Sequence, residues 1–139
     1  MDKTPITIGQ SEHVDFPGLG LVAVPARIDT GARTSTIWAS SVTEAEGKLT
    51  FCLFAEGHPL YDGKIITTRD FGRRIVTPSN GISEERYMVK LSVRLAGKRI
   101  KARFTLANRS TQKYPVLVGR NILRGKFIVD IKHNFVKPV

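Results

Sequence analysis

Hydrophobic and polar residues alternate most cleanly between residues 89 and 106. Val89, Leu91, Val93 and Leu95 are separated by Lys90, Ser92 and Arg94. Beyond Ala96-Gly97, Ile100, Ala102, Phe104 and Leu106 are separated by Lys101, Arg103 and Thr105, with Arg99 just ahead. A two-residue period on both arms predicts a β-hairpin with one apolar and one basic face. Half-buried strands commonly turn one face to water, so the basic side reads first as a solvated outer surface.

Weaker versions of the pattern recur along the chain. Gly20 to Ile28 reads as a strand that Pro25 marks as an edge or a bend, and it runs straight into Asp29-Thr30-Gly31-Ala32. Residues 49–54, Lys64 to Thr68 and Arg73 to Thr77 are further strands, and Pro78-Ser79-Asn80-Gly81 is a strong turn. Tyr114 to Gly119 predicts a short buried strand, Arg120 to Arg124 a short helix stopped at Gly125, and Phe127 to Ile131 a last strand. No segment holds an apolar 3.6-residue period for three turns, and there is no internal repeat or linker. Many short strands with one short helix near the C-terminus predict an all-β protein, a small closed barrel. At 139 residues the chain is expected to be one domain, residues 1–139.

Composition adds limits. With 41% hydrophobic residues the chain can bury a core. No apolar run reaches the length of a membrane span, and the first ten residues lack the layout of a signal peptide, so a cytoplasmic protein with no membrane partner is the expectation. The net charge is +10, and from Arg86 onward fourteen Lys or Arg face a single acid, Asp130. That asymmetry admits an acidic partner without choosing among nucleic acid, acidic peptide and lipid headgroup. No aromatic residues are interleaved on the basic hairpin face for base stacking, so nucleic acid is allowed but not favoured. Cys52, in an apolar run, reads as a buried structural thiol. His13, His58 and His133 lie far apart, so no metal or cofactor is expected.

The candidate chemistry rests on Asp29-Thr30-Gly31. A strand delivers a carboxylate into a tight turn, with a hydroxyl beside it to lock the loop and a glycine behind it to let the backbone pass closely. One carboxylate is a poor catalyst of amide hydrolysis near neutral pH. Two that share a proton divide the work, because like charges about 3 Å apart cannot both ionise readily. One acts as general base on a water and the other as general acid on the carbonyl oxygen. Alone, the tripeptide is also ordinary turn chemistry.

A second segment makes it more specific. Val116-Leu117-Val118-Gly119-Arg120-Asn121-Ile122-Leu123 closely resembles the segment near the C-terminus of retroviral proteases, and the order of elements between the two motifs is similar. Residues 75–82 stand where that family has its flap. Closer still, Arg27 to Ser35, Arg73 to Thr77, Ser83 to Arg86 and Pro115 to Arg120 resemble a bacterial and archaeal retropepsin-like group once labelled ATP-dependent zinc proteases. The resemblance implies a single-lobed aspartic peptidase barrel. Asp29, Thr30 and Gly31 would be catalytic; Ala32, Arg33, Ser79, Asn80, Gly81 and Arg120 would contact substrate. One Asp-Thr-Gly per chain implies a homodimer with the dyad on its two-fold axis, Thr30 bonding across it and the chain ends, residues 3–8 and 131–138, sharing a sheet. The residues offer no support for zinc or ATP: the Gly119 to Phe127 stretch has the wrong spacing for a phosphate loop.

The chain departs from retroviral enzymes at Arg33, where they carry an acid that pairs with the arginine matching Arg120. Two cations near each other need either a carboxylate such as Glu84, Glu85 or Asp130, or an acidic ligand. Arg27, Arg33, Arg73, Arg74 and Arg86 all flank the loop or the flap, and arginine grips carboxylates two-pronged. An acidic ligand is what these arginines imply; the look-alike group often neighbours a glutamate ligase, so the resemblance implies glutamate-rich peptides as substrates. The rival reading is a non-catalytic module of the same fold that holds an acidic protein or RNA on Lys90, Arg94, Arg99, Lys101 and Arg103.

Overall fold

A computed structural model describes residues 4–77 and 79–134. Its strands are β1 (Ile6–Ile8), β2 (Ser11–Phe16), β3 (Leu21–Ile28), β4 (Ser35–Ala45), β5 (Lys48–Leu53) and β6 (Ile65–Thr68). They continue with β7 (Phe71–Val76), β8 (Glu84–Leu95), β9 (Lys98–Ala107), β10 (Val116–Val118) and β11 (Phe127–Val129). One four-residue helix, α1 (Arg120–Leu123), lies near the C-terminus.

Six strands close a ring in the order β10-β3-β2-β8-β9-β4 and back to β10. The short β10 makes the closure, parallel to β3 on one side and antiparallel to β4 on the other. The all-β closed barrel expected from the sequence is therefore present. Closure leaves the central strands without free edges, which removes a template for aggregation.

The clean hairpin forms as β8 and β9, in register from Met88 opposite Thr105 to Leu95 opposite Lys98. Val89, Leu91, Val93, Leu95, Ala102, Phe104 and Leu106 are buried as the alternation demands. Phe104 meets Phe16 of β2 edge-to-face at 5.6 Å, joining the hairpin to the neighbouring strand. Each such fully buried side chain contributes about 1.5–3 kcal/mol of transfer free energy. Thr105 breaks the pattern: it falls on the polar phase yet is fully buried, because β4 packs beside it and supplies Thr36 as a hydroxyl partner.

Three strands were not foreseen from alternation: β1, β2 and β4. In β4 the buried positions include Ser35 and Thr36, so the strand reads as polar although its first half is enclosed. Pro25 does not lie on an edge strand. β3 is flanked by β2 and β10, and the β10 ladder starts one residue later, at Ala26. The bend falls nearby, at Ala23 (φ 57°), whose N–H donates to the Asp15 carboxylate at 2.8 Å. The last strand stops at Val129, two residues short of expectation.

Two pairs stand outside the ring. Among the described residues β7 pairs only with β8, from Phe71 opposite Val89 to Val76 opposite Glu84, and so projects as a flap. β1 and β11 form a parallel two-stranded ribbon within the chain, Ile6 opposite Phe127. Of the terminal segments expected to share a sheet, residues 6–8 thus pair in cis with 127–129, residues 131–134 form no strand, and residue 3 and residues 135–138 lie outside the described residues. No helix among the described residues is long and apolar enough to cross a membrane.

Candidate active site

β3 ends at Ile28 and hands Asp29 to a turn whose shape is fixed from within and from behind. Within, the Gly31 N–H donates to Asp29 Oδ1 at 2.9 Å, and the Ala32 N–H to the Asp29 carbonyl at 3.3 Å. A Cβ at Gly31 would sit 3.3 Å from the same Oδ1, so glycine leaves the carboxylate room. From behind, the Asp29 N–H donates to the Val118 carbonyl at 2.9 Å.

The segment Gly119-Arg120-Asn121 clamps the rest of the loop. The Arg120 and Asn121 N–H groups donate to the carbonyls of Ala32 (2.8 Å) and Arg33 (3.2 Å). The Gly119 N–H donates to the Ser35 hydroxyl at 2.9 Å, which donates in turn to Asn121 Oδ1 at 2.8 Å. The Asn121 amide then donates to the Arg103 carbonyl at 2.9 Å, tying the loop to β9. Behind these, the Thr36 and Thr105 hydroxyls lie 2.8 Å apart. Among the described residues no buried side-chain polar atom lacks a partner. A satisfied buried network holds one arrangement, since leaving any member unpaired costs about 1–3 kcal/mol. Gly119 sits where the two segments touch: a Cβ there would lie 2.4 Å from the Thr34 carbonyl oxygen and 2.8 Å from that of Ala32.

Above the loop opens a cleft of about 750 Å³. Asp29, Gly31, Ala32 and Arg33 line its floor, and Ile75, Thr77 and Ser79 of the flap hang over it. The flap loop is braced by a 2.8 Å bond between the Thr77 and Ser83 hydroxyls and by the Ile82 N–H donating to Asn80 Oδ1 at 2.9 Å. Ile75 (72% exposed) and Ile82 (69%) offer apolar surface near the flap tip that the barrel does not cover. Pro78 lies outside the described residues.

The structure brings most of the expected residues together, but not all. Thr30, Asn80 and Gly81 do not line the cleft in this single chain; all three are exposed. Arg120 does not line it either: its Nη1 donates to the carbonyls of Thr30 (3.3 Å) and Gly31 (3.4 Å), supporting the loop from beneath. Arg120 thus meets main-chain oxygens, and among the described residues no acid lies within ion-pair distance of Arg33 or Arg120. Arg73 turns away from the cleft to Glu44, Glu85 and the face of Tyr87. Arg27, Arg33, Arg74 and Arg86 do line the cleft.

Sequence reasoning missed Arg109, which lines the cleft from the loop after β9 together with Asn108 and Gln112. Its Nε donates to the Tyr114 carbonyl at 2.8 Å. Burial, reinforced by repulsion from Arg86 and Arg27, pushes its pKa down to about 10 against the pull of Asp29. The residue falls beyond the alternating hairpin, where periodicity carries no signal. Among the described residues no group of three or more His, Cys, Asp or Glu gathers as a metal site.

A closed six-strand barrel with one Asp-Thr-Gly turn clamped by a Gly-Arg-Asn segment beneath a flap is the architecture of a single acid-protease lobe. A family model described as RimB-like, retropepsin-like aspartic endopeptidase RimB, matches residues 7–139, and the chain belongs to this family. Among curated proteins, the probable alpha-L-glutamate ligase of Shewanella pealeana is 35% identical over 143 residues, covering 97% of this chain and 30% of the relative. The protein of the same name from Parasynechococcus marenigrum is 32% identical over 129 residues, 90% of this chain and 28% of its own length. The chain therefore spans less than a third of these relatives. A Legionella pneumophila protein of unknown function has a solved structure similar in fold, with a TM-score of 0.61 at 23% identity, over 96% of this chain and 98% of that one.

Proposed function

We propose that the chain is an aspartic endopeptidase whose dyad is completed by Asp29 of a second copy, and that it hydrolyses acidic, glutamate-rich peptides. The observation that carries the reading is the cleft itself: Asp29 is the one carboxylate among the described residues that line its volume of about 750 Å³. Acid–base hydrolysis of an amide needs two groups in opposite protonation states, and one lobe offers one. Thr30 and Gly31 are exposed in the single chain, which suits a face that a twin lobe covers. In that assembly the paired carboxylates titrate as a unit; one takes a proton from water while the other protonates the carbonyl oxygen. The flap closes over the bound chain and excludes solvent.

Acidic substrates are favoured by the arginines lining the cleft around a single acid. The relatives add support, because they are named for a ligase of glutamate and carry a segment similar to this chain. The test is cleavage of a broad peptide mixture between pH 4 and 7, read by mass spectrometry, with light scattering on the same samples. Asp29→Asn is expected to lower turnover by roughly 10²–10⁴-fold while leaving the dimer in place. Unchanged cleavage by that variant sinks the assignment.

One observation favours a second reading, a binding module without turnover. On the outer face of the hairpin Lys90 stands opposite Arg103 and Arg94 opposite Arg99, like charges that cost stability where they face directly. Steeply salt-dependent capture of an acidic protein or RNA, with no cleavage by the wild type, is the result that would select it.

A further inference from the structure

Five arginines line the cleft, but they are not equivalent. Arg86 already has an acid partner in Glu84, which accepts from its Nε at 2.6 Å and its Nη2 at 2.5 Å. Arg27 and Arg33 are exposed, and water carries much of their charge. Arg109 differs from Arg86 in having no acid paired with it, from Arg27 and Arg33 in burial, and from the half-buried Arg74 in having its guanidinium anchored. It is half-buried, two cations crowd it, and among the described residues no carboxylate lies within ion-pair distance of it. Its guanidinium is also aimed. The Nε bond to the Tyr114 carbonyl fixes the plane of the fork, and both terminal nitrogens are left without an acceptor among the described residues. Tyr114 is itself 7% exposed and adjoins β10, so the anchor is rigid.

A desolvated cation of this kind costs stability unless an anion meets it. The fork geometry suits a planar, two-oxygen acceptor better than a single point charge. Because the anchor belongs to the segment that leads into the β10 clamp, the fork stands in a fixed relation to Asp29.

We propose that Arg109 is the specificity-determining residue of the cleft, receiving one substrate carboxylate two-pronged at a set distance from the bond presented to Asp29. The inference rests on the peptidase reading and sharpens it: selectivity is positional, one carboxylate at one subsite, and not a general taste for negative charge. The carboxylate is that of a glutamate or aspartate side chain or of a free peptide C-terminus. Arg27 and Arg33, being solvated, steer acidic peptides toward the cleft without reading position.

The experiment measures binding separately from cleavage. In the full chain carrying Asp29→Asn, fluorescence anisotropy follows labelled peptides that differ by one Glu or Gln at successive positions, each with a free or an amidated C-terminus. One position is expected to favour Glu over Gln by roughly ten- to hundredfold, the size of a charge-assisted hydrogen-bond pair. Adding Arg109→Gln should bring that ratio close to one, and Arg109→Lys, which keeps the charge but not the fork, should restore part of it. Should dependence follow the free terminus instead, the carboxylate read is that of the chain end. Thermal unfolding of each variant checks that it is folded, and the lysine variant stands in where the glutamine variant is not. A ratio that survives in folded Arg109→Gln, or that is absent at every position in the parent, overturns the proposal. Cleavage by the native chain is scored apart. Positional preference without cleavage leaves the subsite standing and removes the peptidase reading; cleavage blind to Arg109 does the reverse.

Discussion

A methyl group at position 119 would have to displace main chain, because the atoms nearest to it are the carbonyls of Ala32 and Thr34. The backbone there, φ −102° and ψ −173°, is one that any residue adopts, so the requirement for glycine is one of space alone. Gly119→Ala is expected to cost about 3 kcal/mol, at the upper end of overpacking penalties, and to lower the urea midpoint without changing the slope. Activity should fall further than stability, since the displaced carbonyls belong to the loop that carries Asp29. A variant as stable and active as the parent would show that the loop can move aside. At this scale the sequence was legible where a residue type is demanded by a shape: Asp29, Gly31 and Gly119 announce themselves in short motifs. Arg109 did not, because its role depends on burial and on an anchor at Tyr114, neither of which leaves a mark on neighbouring residues. Arg120 was misread in part for the same reason: a guanidinium that supports main chain looks no different in sequence from one that grips a ligand.

Among the elements, the β8–β9 hairpin was plain from its two-residue period, and the turn that joins it offers a test. Ala96 (φ 49°) and Gly97 (φ 81°) both occupy the left-handed region, the geometry of a two-residue turn matched to strand twist. Glycine accepts that backbone freely, whereas alanine is strained there. Ala96→Asn should therefore stabilise the protein by about 0.5–1 kcal/mol, read as a higher midpoint in urea, with no effect on the distant cleft. A lower midpoint would mean that the alanine side chain has a packing role that outweighs its backbone. β4 was the element that alternation could not reveal. Its buried hydroxyls are satisfied by partners some seventy to ninety residues away, Thr105 and Asn121, and only the assembled barrel makes burying them affordable. The turn residues pointed to the turn between β7 and β8, but that β7 has no partner except β8 among the described residues is a property of topology that composition does not record.

For the whole molecule, the proposed completion of the site by a second copy would make activity depend on concentration. Below the dissociation constant of the dimer, specific activity should fall in proportion to protein concentration as monomers accumulate, and a tandem fusion of two copies should abolish that dependence. Concentration-independent specific activity down to the point where light scattering reports monomer would refute a shared dyad. The net charge of +10 adds a second handle, because acidic peptides steered by the cleft should lose affinity as salt is raised. Fold class was readable at this scale from many short strands and two spaced motifs. The manner of closure was not, since β10 is only three residues long and makes its two pairings with strands some ninety and eighty residues upstream.

That closure also sets a timetable. Asp29 is synthesised about ninety residues before Gly119, a gap of roughly 5–18 s at ordinary rates of chain elongation. Until the later segment emerges and threads between β3 and β4, the barrel is open, the Asp29 N–H has no Val118 carbonyl to bind, and the carbonyls of Ala32 and Arg33 have no clamp. Over that interval a growing chain carries Asp29 on a loop that lacks these bonds. On the proposed peptidase reading, competence would arrive only once the lobe closes, and a half-built lobe would be inactive.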